Sequence, residues 1–328
     1  SFIHSFIHSF IHSFIHSDPW NRTLRGDSFL LSQSEHGIIF STDDNLRLLS
    51  RSHRIYMDGT FRTAPRIAKQ CYSLHGDVDG HVLPLVYCLL ASKSREVYFW
   101  MLTEIKRKMA DLDLQLNPDT VITDFEAAMF PTIRAHFPNA AHKGCYFHFT
   151  QAIWKQVQYQ RLATRYREEA DTRKTVRMLM ALAFLPVLCV RPALAQLETE
   201  IPPGDDDMSN LVDYFRRTWL GLFPPSTWSV YSENVRTNNQ VEGWHSRMNK
   251  KIAKAHPNFY QWLKHVREEQ AATETTAHRA ALGAAPPARR RKYVALDERL
   301  ARLKDRFQAG DLTVFEYLSR VRHIVHHY

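Results

Sequence analysis

The pattern of apolar and polar positions changes character at Arg54. Residues 54–62, RIYMDGTFR, alternate and are rich in strand-forming side chains. Residues 70–78 and 81–91 repeat that texture, with Gly76, Asp77, Asp79 and Gly80 supplying turn chemistry between them. The pattern predicts three consecutive antiparallel strands. In residues 96–112 the period lengthens: Phe99, Leu102, Ile105 and Met109 recur at helical spacing. Asn117-Pro118 ends that helix, and TVITD at 120–124 reads as a short apolar strand. A helix over 126–136, a strand over 141–145 and a helix over 147–158 follow.

The order β-β-β-α-β-α-β-α predicts an α/β protein: a mixed five-stranded sheet flanked by helices, in the strand order of an RNase H-like fold. The chain then turns helical. Residues 172–185 run from a basic start into MLMALAFL and stop at Pro186; residues 211–220 carry Tyr214, Phe215 and Trp219. Pro202-Pro203-Gly204 and three following aspartates form the loop between them. A helix over 237–254 opens with Thr237 and Gln240 at capping-box spacing. The tail adds a helix over 259–281, a loop over 283–287 and two amphipathic helices. One shows Leu296, Leu300, Leu303 and Phe307, the other Leu312, Phe315, Leu318, Val321 and Ile324. The expected division is a low-complexity segment at 1–17, a first part of the core at 45–160, and a helical insertion at 161–232. A helix completing the core at 233–265 and a helical C-terminal extension at 266–328 follow.

Residues 1–17 repeat Ser-Phe-Ile-His four times, without the basic start and continuous apolar centre of a signal peptide, and are read as disordered sequence outside the fold. No apolar run reaches 18 residues, so no membrane span or membrane partner is expected. With 44% hydrophobic and 12% aromatic residues among 328, the chain can build a large core and is not disordered as a whole. Cys71, Cys88, Cys145 and Cys189 have no framework spacing, which speaks against a disulfide scaffold and for a reducing compartment. A net charge of +9 favours a polyanionic partner, nucleic acid ahead of an acidic membrane surface.

In the predicted sheet the first and fourth strands are parallel neighbours. Asp58 and Asp124 would then meet at one edge of it. Two carboxylates held together repel unless a cation lies between them, and magnesium is a hard ion suited to such ligands. Taken singly, each has a plainer reading. Asp124 is placed to cap a helix, Asp58 precedes Gly59 as a turn residue does, and Glu242 could be a solvated helix residue. Spacing alone does not select these three from 34 acidic residues.

The surrounding blocks do select them. YMDGTFRTAP (56–65), LPLVYCLLASKSREVYFWML (83–102), VITDFEAAM (121–129), GCYFHFTQAIW (144–154), ALAFLP (181–186), YFRRTWLG (214–221) and RTNNQVEGWHSRM (236–248) occur in this order. Together they resemble the transposase domain of Mutator-like elements (MULE), over roughly residues 45–265. The resemblance implies an RNase H-like core interrupted by a helical insertion before the last acidic residue. It also implies a cut-and-paste DNA transposase with an Asp-Asp-Glu triad, here Asp58, Asp124 and Glu242, holding two Mg²⁺ or Mn²⁺ ions. DNA, as element ends and target, is the implied partner, with a homo-oligomer assembled on it and a nuclear location. Two alternatives keep the fold: a transposase-derived DNA-binding or regulatory protein without catalysis, and an RNase H-like nuclease.

Other features stay open. Cys145 and His148 form a C-x-x-H pair that the family also shows. It is half of a zinc site, with only Cys71, His75 and His142 as complements, or a packing pair beside the active site; zinc is not expected. His245 shares a helix face with Glu242 and could orient the carboxylate or meet a phosphate. Glu126 is a reserve ligand, or an acidic residue in a helix's first turn. Arg161, Arg165, Arg167, Arg173, Lys174 and Arg177, and the run Arg289, Arg290, Arg291 and Lys292, are candidate phosphate contacts. The second run equally suits nuclear import or a solvated linker. Trp219, Trp228 and Trp244 suit core packing better than base stacking. No complete Cys/His finger module for reading element ends is apparent in the sequence.

Overall fold

A computed structural model describes residues 20–233, 239–288 and 291–324. The Ser-Phe-Ile-His repeat at 1–17, Thr237, Arg289 and Arg290 lie outside the described residues, as does the side chain of Lys292. The chain forms two compact units. The first draws on the stretches ending at His142 and at Pro287, and the second on the stretches beginning at Lys143 and at Ala288.

The first unit is built on a seven-stranded mixed sheet, and the α/β class is as expected. Its strands are β1 (Leu30–Ser34), β2 (Gly37–Phe40), β3 (Arg54–Thr60), β4 (Gln70–Val78), β5 (His81–Leu90), β6 (Thr120–Thr123) and β7 (Ala141–Gly144), in the order β1-β2-β5-β4-β3-β6-β7. Five strands were expected. The additional two form a hairpin in LLSQSEHGIIF, where β2 pairs antiparallel with β5. Their short length and the polar turn between them hide them from a periodicity reading.

Between β4 and β5, Asp79 and Gly80 take the left-handed φ values of 51° and 80°, and Asp77 Oδ1 accepts from the Gly80 amide at 3.1 Å. This is the turn that a tight right-twisted hairpin needs. The β4–β5 register slips between Leu74 and His75. As a result Leu85 and Val86, adjacent in sequence, belong to one core cluster, while Tyr87 and Leu89 belong to the other.

Helices α1 (Asp43–Ser50), α2 (Arg95–Ala110) and α3 (Met129–His136) cover one face of the sheet. Thr42 and Ser94 cap the first two, each accepting a backbone N–H through its side chain. Leu46, Leu49, Tyr98, Met101, Ile105 and Ile133 pack there on Ile55, Met57, Leu74 and Val121, all fully buried. Helices α4 (Asn239–Ile252) and α5 (Phe259–Ala281) cover the other, packing Trp244, Met248, Trp262 and Val266 on Phe40, Cys71, Tyr87 and Leu89. Each such side chain contributes about 1.5–3 kcal/mol. A reciprocal amide pair ties α1 to α5: Asn45 Nδ2 donates to Gln270 Oε1 at 2.7 Å, and Gln270 Nε2 returns to Asn45 Oδ1 at 3.1 Å. No helix among the described residues is long and apolar enough to cross a membrane.

The second unit is helical. Its segments are Tyr146–Tyr159, Ala163–Glu168, Ala170–Ala181, Val187–Thr199, Asp206–Phe215, Pro225–Trp228, Arg291–Gln308 and Val314–Val321. Its centre is aromatic: Phe149 stacks on Trp228 at 4.9 Å and meets the edge of Trp219 at 4.7 Å. The stretch Arg216–Leu222 is π-helical, and the Trp228 indole donates to the carbonyls of Trp219 at 2.8 Å and Phe223 at 3.1 Å. Trp219, Trp228 and Trp244 are therefore core residues.

Candidate active site

The pairing of β3 with β6 decides where two carboxylates go. The strands run parallel, with Arg54 opposite Thr120, Ile55 opposite Val121 and Tyr56 opposite Ile122. The same offset carried two residues further sets Asp58 opposite Asp124, at the C-terminal ends of neighbouring strands about 4.8 Å apart. Neither residue fits its plainer reading. Asp58 is inside β3 and only 5% exposed. Asp124 is no helix cap, since α3 starts at Met129 after Ala128.

The Asp58 carboxylate is held locally. The Gly59 amide donates to its Oδ1 at 2.8 Å. A Cβ on Gly59 would lie 2.9 Å from both Gln70 Oε1 and a Tyr72 ring carbon, so the Asp-Gly pair suits the close approach of β4. Asp58 Oδ2 faces His245 Nε2 at 3.5 Å. The His245 and His75 rings are 6.3 Å apart, His75 packs edge-on against Trp244 at 5.0 Å, and Ser73 Oγ bonds His75 Nε2 at 2.9 Å. Burial, with His245 and Arg247 adding to it, lowers the pKa of His75.

Burial pushes the Asp58 carboxyl up to about 7 against the bond from Gly59, and the charges of Glu242 and Glu126 raise it further. Asp124 is also raised, first by burial, then by Glu126 and Asp58, with Lys93 opposing. Although Asp124 keeps some exposed surface, its Oδ1 is enclosed and has no hydrogen-bond partner. A like-charged carboxylate pair with an enclosed, unpaired oxygen has donor chemistry suited to a hard divalent cation. Among the described residues, however, no three His, Cys, Asp or Glu side chains stand in metal-holding geometry.

Glu242 lies half-buried in the first turn of α4, with its charge felt at Asp58. Three residues on, the same helix buries His245. Helix α4 is anchored by Glu269 of α5, which accepts from Trp244 Nε1 at 3.1 Å and Lys251 Nζ at 3.2 Å. Glu126 is not in a helix's first turn; it precedes α3 in irregular chain, bonded through one oxygen to Lys93 Nζ and through the other to the Tyr98 hydroxyl. Gln70 Nε2 donates to that hydroxyl at 2.8 Å. Lys93, Ser73 and Glu269 were not singled out as site residues, and His75 only as a possible zinc complement. Ser73 and His75 could have been found from the alternation of β4; Lys93 and Glu269 carry no local signal.

The C-x-x-H pair lies in the second unit. Cys145 is buried at the start of the Tyr146–Tyr159 helix, and burial lowers the pKa of His148 to about 4. Of its suggested complements, Cys71 lies in the core, His75 bonds Ser73 and His142 bonds Thr123 Oγ1 at 2.8 Å. The insertion's cations make contacts within their own unit. Arg165 holds Asp205 with two bonds of 2.9 and 2.7 Å and Glu169 with one of 3.0 Å. Lys174 holds Glu200 at 2.7 Å, Arg173 the carbonyls of Tyr166 and Arg167, and Arg177 the Tyr166 hydroxyl. Arg161 is exposed in a left-handed turn and Arg167 is exposed, as is Arg291 at the start of its helix.

No curated protein matches the chain. Residues 54–152, from the first residue of β3 into the Tyr146–Tyr159 helix, match the family model of the MULE transposase domain, a segment that contains Asp58 and Asp124 but not Glu242. Over those residues the chain is similar to the MULE transposase domain.

Proposed function

We propose that this chain is the catalytic core of a DNA transposase, cutting and joining DNA strands through Asp58, Asp124 and Glu242. The observation that carries the reading is the parallel pairing of β3 with β6, whose register carried two residues on sets Asp58 opposite Asp124, with the charge of Asp58 felt at Asp124. The order of the five strands from β3 to β7 supports an RNase H-like core, because it follows the three antiparallel strands and alternating units expected of that fold. Asp58 and Asp124 would hold the divalent ions, and Glu242 would complete the set. When bound, a pair of such ions activates the attacking water or 3′-hydroxyl and stabilises the leaving oxygen. In this reading the Gly59 amide fixes one oxygen of Asp58, and His245 orients the other. A chromosomal DNA substrate would make the site of action nuclear.

The test is nicking of supercoiled plasmid DNA by the full chain in Mg²⁺ or Mn²⁺. Asp58→Asn should reduce it to background while the far-UV spectrum stays that of the parent; equal nicking by the variant overturns the assignment. Joining of a labelled 3′ end to a target separates a transposase from a nuclease. The non-catalytic DNA-binding reading rests on the lack, among the described residues, of a three-ligand metal geometry. It predicts that calorimetry with Mn²⁺ finds no site that Asp58→Asn or Glu242→Gln removes.

A further inference from the structure

We propose that the β3–β4 loop, residues 61–69, is a DNA-holding surface beside the carboxylates: Arg62, Arg66 and Lys69 contact phosphates, and Phe61 stacks on an unpaired base. The proposal rests on the reading of DNA as substrate and says where the strand is held. The loop follows Asp58-Gly59-Thr60 directly, so its register is set by the strand that carries the first carboxylate.

Its interior is fixed. Thr63, Ala64 and Pro65 are buried, the Ala64 amide donates to Phe61 O at 3.2 Å and the Ala68 amide to Pro65 O at 2.9 Å. A second segment clamps it from outside: the His256 amide donates to Arg62 O at 2.9 Å and His256 Nδ1 meets Ala64 O at 3.1 Å. His256 does so at φ 50°, a conformation disfavoured for a residue with a Cβ. The clamped backbone presents Phe61, Arg62, Arg66 and Lys69 outward, at least partly exposed.

Among the described residues Arg62, Arg66 and Lys69 have no carboxylate partner, unlike Arg165 and Lys174. Three cations on a rigid loop suit a phosphate backbone. Phe61 is 42% exposed although it is a large apolar side chain. Lys93 Nζ lies 3.9 Å from its ring centroid and also bonds Glu126, whose charge is felt at Asp58 and Asp124. The ring is thus linked to the carboxylates through Lys93 and Glu126. An aromatic platform among cations is how proteins hold single strands, because every base has a π-face.

The test is fluorescence anisotropy of the full chain on a labelled duplex with an unpaired flap, across a salt series. Arg62→Ala/Arg66→Ala/Lys69→Ala should weaken binding about tenfold or more and flatten the salt dependence, by about 0.9 in slope for each phosphate no longer neutralised. Arg62→Lys/Arg66→Lys should retain the parental slope. Phe61→Ala should remove the preference for the flap over plain duplex. Binding by the triple variant at parental affinity and slope overturns the surface but leaves the DNA reading standing. No binding by the parent chain overturns both. Should the triple variant fail to fold, Arg66→Glu alone decides the matter: a flattened slope supports the surface, and a parental slope overturns it.

Discussion

The two units use charge in opposite ways. In the helical unit several charged groups are paired: Arg165 with Asp205, Lys174 with Glu200, Arg216 with Glu198 at 2.5 Å. In the sheet unit, Asp58 is buried and Asp124 half-buried, and burial and neighbouring carboxylates raise the cost of ionising either. The first arrangement contributes modest stability; the second costs stability and stays tolerable only because the surrounding sheet is well packed. Such a cost is a mark of a functional site more than of a structural one.

Four substitutions or additions break or sharpen this contrast. The largest effect falls on the helical unit's core. Trp228→Ala should lose about 3–5 kcal/mol, through a cavity among Phe149, Phe215 and Trp219 and two carbonyls left without their indole donor. Chemical denaturation would read it.

Asp58→Asn should act in the other direction. The folded-state value of Asp58 is raised from 3.8 to about 7, so stability is full below pH 4 and is lost as pH rises through 7. The variant should therefore gain up to roughly 4 kcal/mol over the parent at pH 8 and little at pH 4, in chelator. Melting curves at the two pH values test this; a loss of stability at pH 8 would contradict it. Mg²⁺ at a hundredfold excess over its dissociation constant should stabilise the parent at pH 8 by about 3 kcal/mol, and neither Asp58→Asn nor Asp124→Asn to that extent. The smallest effect belongs to Lys174→Ala, a partly exposed pair, at under about 1 kcal/mol, with DNA affinity unchanged if the pair is structural.

Much of the sheet unit could be read along the chain because its signals are local. Strands β4 and β5, the Asp79-Gly80 turn and the 259–281 helix follow from period and turn chemistry within a few residues. The β1–β2 hairpin was missed because two short strands around a polar turn resemble a loop. Helix α3 begins three residues later than expected, since Glu126 turns aside to Lys93 and Tyr98 instead of opening the helix. The partners of Arg165 and Lys174 lie 40 and 26 residues away. No period in the sequence announces them, so a basic cluster looked more available to DNA than its side chains are.

By itself, then, the sequence determined the α/β class and the strand segments that lead to Asp58 and Asp124, and carried the resemblance that marked Glu242. Those features depend on local alternation, turn residues and contiguous blocks. Only the tertiary structure decided which charges are paired and which carboxylates burial makes costly to ionise, that His245 faces Asp58, and that the cations following the Asp58 strand stand outward on a clamped loop. Burial and electrostatic coupling depend on distances between elements far apart in the chain, which polar and apolar spacing does not encode.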